Sequence, residues 1–233
     1  MYEYIAITIK GKKRNTNEDR IMIHNHMLSN GTIQETTQDP ILAVICDGVG
    51  GEAGGAIAAE ISTKEFQGIK PSRVSPQKVF KTIDSINQEI LKEQHKCLHN
   101  SMATTIAGIT LMNKRFILFN SGDTRIYEIT YNHVLKHTKD HIQAIGNKTV
   151  LNNYLGGSGT MCSPYVKKGE LLSPDSFIVM CSDGIYKQIT DLEMHRIIIS
   201  DAPLRRKAVA ILELSSLKGS CDDKSLIILH LQK

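Results

Sequence analysis

The chain has 233 residues, ample for a sizeable core, with 41% hydrophobic residues and a formal charge of +4. The modest charge comes from dispersed Lys and Arg, which argues against a nucleic-acid groove, and no apolar run approaches the roughly 18 residues that span a membrane. Five cysteines, odd in number and without a C-x-x-C pair, indicate neither a disulfide framework nor a cysteine zinc site, so a reducing, cytoplasmic setting is the default.

No Pro/Ser-rich linker, charge block or internal repeat divides the chain, and residues 1–233 read as a single domain. The first nine residues alternate like a strand and lack the basic-then-apolar order of a signal peptide. Runs rich in Ile, Val, Thr, Leu, Phe and Tyr predict strands over 2–9, 20–26, 41–46, 104–112, 115–120, 124–130, 177–182 and 225–231. Helical spacing predicts helices near 53–66, over 76–99 where Val79, Ile83, Ile86, Ile90 and Leu91 recur, and at 191–200 and 203–217. Strands in succession with short connections imply antiparallel pairing, and the helices before and after them must cover sheet faces. The expected fold is α+β: two antiparallel β-sheets packed as a sandwich, with helices on both outer faces.

Acidic residues stand at five separated places: Glu18-Asp19, Asp47, Asp123, Asp183 and Asp222-Asp223. Ile41–Cys46 runs straight into Asp47-Gly48, and Phe177–Ser182 runs straight into Asp183-Gly184, so two buried strands each end on a carboxylate. In a sandwich such ends gather at one rim. Carboxylates brought together raise one another's pKa unless cations neutralise them, and oxygen-only ligands suit Mg²⁺ or Mn²⁺ better than zinc or copper. Gly48, without a Cβ, leaves its carbonyl free to turn toward an ion held by Asp47. Gly48, Gly50 and Ala53 also satisfy a loose dinucleotide pattern, but Asp47 and Glu52 flank that turn with the charge a pyrophosphate avoids.

Other features have plainer readings. Asn120–Arg125 on its own reads as a hairpin turn between two strands. His133, His137 and His141 would form a zinc face on a helix, yet their surroundings read as strand and turn. Lys10, Lys12 and Lys13 fit a solvated turn, while Cys46 and Cys181 lie inside apolar runs as core residues.

Taken in order, Arg14-Asn15-Thr16-Asn17-Glu18-Asp19, Asp47-Gly48-Val49-Gly50-Gly51, Met102-Ala103-Thr104-Thr105, Gly122-Asp123-Thr124-Arg125, Thr138-Lys139-Asp140-His141, Cys181-Ser182-Asp183-Gly184 and Asp222-Asp223 resemble the motif series of the metal-dependent Ser/Thr protein phosphatases, the type 2C or PPM family. The resemblance covers residues 1–231 and implies the family's helix-flanked β-sandwich. It implies that Asp47 bridges two Mn²⁺ or Mg²⁺ ions and that Gly48 binds through its carbonyl. Asp183 and Asp222 complete the first ion, Glu18 and Asp19 reach the second or its waters, and Asp123 helps hold a third, weaker ion in bacterial members. Arg14 matches the arginine that grips substrate phosphate, which suits its planar fork.

The chain departs from the pattern at several positions. Val49 stands where many eukaryotic members carry a histidine thought to protonate the leaving group, as in the bacterial branch. Ala103 replaces a Gly, Lys187 an acidic residue, and Asp223 an Asn. Residues 142–154 are shorter than the segment that usually carries a flap beside the site. The resemblance implies hydrolysis of phosphoserine or phosphothreonine in proteins, with a Ser/Thr kinase and its substrates as partners and a monomer as the expected state. A non-catalytic phosphoprotein-binding sensor or scaffold of the same fold is the alternative, and retention of every core aspartate favours catalysis. A phosphodiesterase or nuclease would call for clustered Lys and Arg that the sequence lacks.

Overall fold

The computed structural model describes residues 1–49, 53–97, 101–157 and 162–232. One six-stranded sheet runs, in spatial order, β11 (Val134–Lys136), β10 (Arg125–Ile129), β16 (Phe177–Cys181), β17 (Lys224–Leu231), β1 (Tyr2–Ile9) and β4 (Gly31–Thr37). The other runs β15 (Tyr165–Glu170), β9 (Arg115–Ser121), β8 (Ile106–Met112), β5 (Ile41–Cys46), β2 (Arg20–Ile23) and β3 (His26–Leu28). Every pairing within them is antiparallel. A small sheet joins β14 (Leu155–Gly156), β7 (Ala103–Thr104) and β6 (Gly48–Val49), and β12 (Ile142–Ile145) pairs with β13 (Lys148–Leu151) as a separate hairpin.

The unbroken apolar runs follow from burial on both faces of the central strands. Along β5, Ile41, Ala43 and Ile45 point between the two sheets, while Leu42, Val44 and Cys46 point outward to α1 (Ala53–Phe66) and α2 (Pro76–Cys97). Along β16 and β17, Ile178, Met180, Ile227 and Leu229 fill the space between the sheets. Their neighbours Val179, Cys181, Leu226 and Ile228 pack against α4 (Asp191–Ile198) and α5 (Leu204–Leu217). Three apolar layers result, and the helix-sheet-sheet-helix order expected from the sequence is the one observed. Cys46 and Cys181 are fully buried, as read.

Helix α1 occupies 53–66 and α2 occupies 76–97, the expected 98–99 lying outside the described residues. Thr190 caps α4 with a reciprocal Thr190–Glu193 capping box, which fixes its start at Asp191. A short α3 (Asp183–Tyr186) begins directly after β16 and was not expected. The turn at 122–124 is a correction: β9 and β10 do not form a hairpin but lie in different sheets. Gly122, at φ 107° and with Thr105 side-chain atoms 2.6 Å from where a Cβ would stand, lets the chain turn from one sheet to the other.

Phe119 is fully buried on β9 and stacks on Phe66 of α1 with ring centroids 5.1 Å apart. Because that contact joins the second sheet to its helix layer, Phe119→Ala should lower the free energy of urea unfolding by about 3–5 kcal/mol. A loss below about 1 kcal/mol would show that the layer does not rest on this ring.

Candidate metal centre and active site

The chain crosses between the sheets at one end of the sandwich, and the acidic residues sit on or beside those crossings. Glu18 and Asp19 lie between β1 and β2, and Asp123 between β9 and β10. Asp47 follows β5, and Asp183 follows β16 as the first residue of α3. Asp222 and Asp223 precede β17, whose first residue Lys224 pairs with Ile9 at the end of β1. Antiparallel register therefore brings all five acidic stretches to the same rim.

Arg14, Asp47, Gly48, Asp123, Asp183 and Asp222 line one cavity of about 350 Å³, with Val49, Thr105, Arg125, Tyr186 and Lys187. Ile142, Thr149, Val150 and Leu151 of the β12–β13 hairpin form its facing wall, so the short 142–154 segment is an exposed hairpin beside the acidic cluster. Glu18 and Asp19 are buried behind the cavity at 3% and 1% exposure. Another cleft, of about 430 Å³, is lined by His24, Asp39, Lys70 and neighbours at the opposite end of β5, and it gathers a single carboxylate.

Asp47 is fixed by its backbone. Its N–H donates to Thr105 Oγ1 at 3.1 Å, and its carbonyl accepts from Thr105 N at 2.9 Å and Thr104 Oγ1 at 3.0 Å. Its side chain is left to the cavity: among the described residues, none donates a hydrogen bond to that carboxylate. Burial, followed by repulsion from Asp19, Asp183, Asp123 and Asp222, pushes its pKa well above the usual carboxylate range. A carboxylate without protein donors, ringed by four others, matches the chemistry of a hard divalent cation and fits Mg²⁺ or Mn²⁺. Gly48 has a packing reason besides its carbonyl, since a Cβ there would stand 2.5 Å from the Gly55 backbone of α1 and 2.8 Å from Glu18 O. Gly50, Gly51 and Glu52, and with them the loose dinucleotide pattern, lie outside the described residues.

The other carboxylates are held one by one. Arg14 Nε donates to Asp222 Oδ1 at 2.7 Å and its Nη1 to Glu18 Oε2 at 3.1 Å. Lys187 Nζ donates to Asp183 Oδ2, Tyr186 Oη to Asp123 Oδ2 at 2.6 Å, and Ser182 Oγ to Asp19 Oδ2 at 2.8 Å. In this arrangement no three His, Cys, Asp or Glu side chains among the described residues close on a common point.

Further residues position the site without being candidate ligands. Asp223, 3% exposed, accepts from Gly11 N at 2.7 Å and Glu18 N at 2.8 Å, pinning the loop that carries Arg14 and Glu18. Thr105, besides anchoring Asp47, shares a 2.7 Å hydrogen bond with Thr124 next to Asp123. Arg125, paired with Asp140 at 2.7 Å, lies 3.7 Å over the Tyr186 ring. The three histidines do not form a zinc face. His133 is exposed, His137 pairs with buried Glu128 at 3.0 Å, and His141 Nδ1 accepts from Gly122 N at 3.1 Å. Lys12 and Lys13 are exposed, as a solvated turn requires.

Residues 28–202 match the family described as protein phosphatase 2C. A serine/threonine phosphatase stp of Listeria monocytogenes is 25% identical over an alignment of 239 positions that covers 91% of this chain and 93% of that protein. In fold, the chain is similar to the serine/threonine phosphatase Stp1 from Staphylococcus aureus, with a TM-score of 0.84 at 21% identity over 100% of this chain and 96% of that one. The serine/threonine phosphatase of S. agalactiae matches with a TM-score of 0.85 at 18% identity over 100% of both chains.

Burial, countered by hydrogen bonds from Ser225 and Ser182, pushes the Asp19 carboxyl up to about 7. Between the ordinary carboxylate range near 4 and that value, the metal-free folded state holds a proton the unfolded chain has released, so stability falls as pH rises. Chelator-treated protein should accordingly melt at a lower temperature at pH 7.5 than at pH 5, and Asp19→Asn should flatten the slope. An unchanged slope in the variant would remove Asp19 as its source.

Proposed function

The chain belongs to the protein phosphatase 2C family, and from that premise we propose that it hydrolyses phosphoserine and phosphothreonine in proteins using two Mn²⁺ or Mg²⁺ ions at the acidic rim. The observation that carries this reading is the Asp47 carboxylate, turned into the cavity without a described protein donor and amid Asp19, Asp123, Asp183 and Asp222. Asp47, the Gly48 carbonyl, Asp183 and Asp222 would hold the ions, with Asp47 shared between them. Glu18 and Asp19 would serve the second ion or its waters. Asp123, which the family resemblance assigns to a further ion, accepts here from Tyr186 Oη at 2.6 Å.

When bound, the ions lower the pKa of water to near neutrality and neutralise phosphoryl charge. Arg14 lines the cavity with its guanidinium between Asp222 and Glu18 and its side chain 34% exposed. Its planar fork can take two phosphoryl oxygens and hold phosphorus in line for attack. No side-chain nucleophile is needed, which agrees with the burial of Cys46 and Cys181. Val49 lines the cavity and has no proton to give, so water or another cavity residue must protonate the departing oxygen.

Phosphoproteins are the substrates, and a Ser/Thr kinase that makes them is the partner this reading calls for. A monomer suffices, since one chain supplies every proposed ligand. Among the described residues no helix is long and apolar enough to cross a membrane. Cys46, Cys162, Cys181 and Cys221 are free thiols, which supports the cytoplasm as the compartment.

Release of phosphate from a phosphothreonine peptide should require Mn²⁺ or Mg²⁺ and stop with chelator. Asp183→Asn should lower kcat by about a hundredfold or more with the melting temperature of the chelated protein little changed. Full turnover in the variant would contradict the assignment, and no turnover in folded, metal-loaded wild type would favour a phosphoprotein-binding role.

A further inference from the structure

One wall of the cavity is met by donors from a single short element. Lys187, four residues after Asp183 and so on the same helical face, places its Nζ 2.5 Å from Asp183 Oδ2. Its neighbour Tyr186 donates to Asp123 Oδ2 at 2.6 Å, and Arg125, held by Asp140, covers the Tyr186 ring at 3.7 Å. Asp183 and Asp123 are thereby both engaged, and two cationic side chains stand on their side of the cavity. The Asp47 carboxylate receives no comparable donor from the described residues. The site is therefore asymmetric: protein charge compensates the Asp123 wall, while the Asp47 side is left for ions.

We propose that Lys187 is a built-in cation of this wall, taking with Tyr186 the place a divalent ion would need between Asp183 and Asp123, so that the cavity loads two ions and not three. The inference rests on the metal-dependent reading and adds to it how many ions this chain holds. An ammonium is a compact point charge that needs no loading from solution. A dication ligated by both Asp183 and Asp123 would sit within a few ångströms of that like charge and would have to break a charge-assisted hydrogen bond to displace it. Lys187 reaches in from the rim with 57% of its side chain exposed, so replacing it leaves the core untouched. An acidic residue at this position would do the reverse, adding a ligand where the lysine now adds a positive charge.

The test is the number of Mn²⁺ ions bound per chain at saturation, by equilibrium dialysis with metal analysis, for wild type, Lys187→Asp and Lys187→Gln. Thermal melts of the same samples verify folding. Wild type should bind two ions and Lys187→Asp three, the added ion binding at least roughly tenfold more tightly than any further binding by wild type. Lys187→Gln, which removes the charge without adding a ligand, should admit the third ion more weakly. Three ions in wild type, or two in Lys187→Asp, would overturn the proposal while leaving the metal-dependent reading intact. No bound ion in folded wild type would overturn that reading and this inference together.

Discussion

Repulsion among carboxylates held at one rim is the constraint on which the rest of this structure depends. Asp19 and Asp47 are both pushed toward protonation, chiefly by burial and further by neighbouring carboxylates. A fold does not keep such a cluster without compensation, because burying unpaired charge is expensive. Compensation comes partly from the chain, through Arg14 on Asp222 and Glu18, Lys187 on Asp183, and hydroxyls on Asp19 and Asp123. The Asp47 carboxylate has no such partner among the described residues, and it is there that ions would supply the missing charge.

The sandwich makes the cluster possible. Antiparallel strands reverse at each end, so one end collects the residues that follow β1, β5, β9 and β16 together with those that precede β17. Because β1 to β2 and β9 to β10 cross between sheets, their loops lie over the gap between the layers. Hydrogen bonds then hold three of the acidic stretches: Thr104 and Thr105 on the Asp47 backbone, Asp223 on the Glu18 backbone, and the Ser182 hydroxyl on the Asp19 carboxylate. Apolar layers on both sides of each sheet keep this rim rigid enough for a site.

The central strands and the acidic stretches were legible because both leave local signals. A strand buried on two faces, such as Ile41–Cys46, shows as an unbroken apolar run, and a carboxylate at its end stands out against it. Edge strands were missed for the converse reason. Gly31–Thr37 pairs only with β1, is largely solvated and reads as polar, and the exposed hairpin of β12 and β13 has no buried face to pattern it. The turn at 122–124 looked like a hairpin because local sequence carries turn chemistry but not the sheet that the next strand joins. Tyr186 and Ser182 act on Asp123 and Asp19 across 63 and 163 residues, distances at which no periodicity or spacing rule operates. The seven motifs of the phosphatase family carried the assignment of roles where single motifs could not.

Anomalous diffraction from crystals grown with Mn²⁺ is the most direct measurement of the central claim. Two manganese peaks should flank the Asp47 carboxylate at about 2.0–2.4 Å from its oxygens, with Asp183 and Asp222 turned toward one of them. Manganese absent from Asp47 in a folded, metal-saturated crystal, or bound only at another surface, would contradict it.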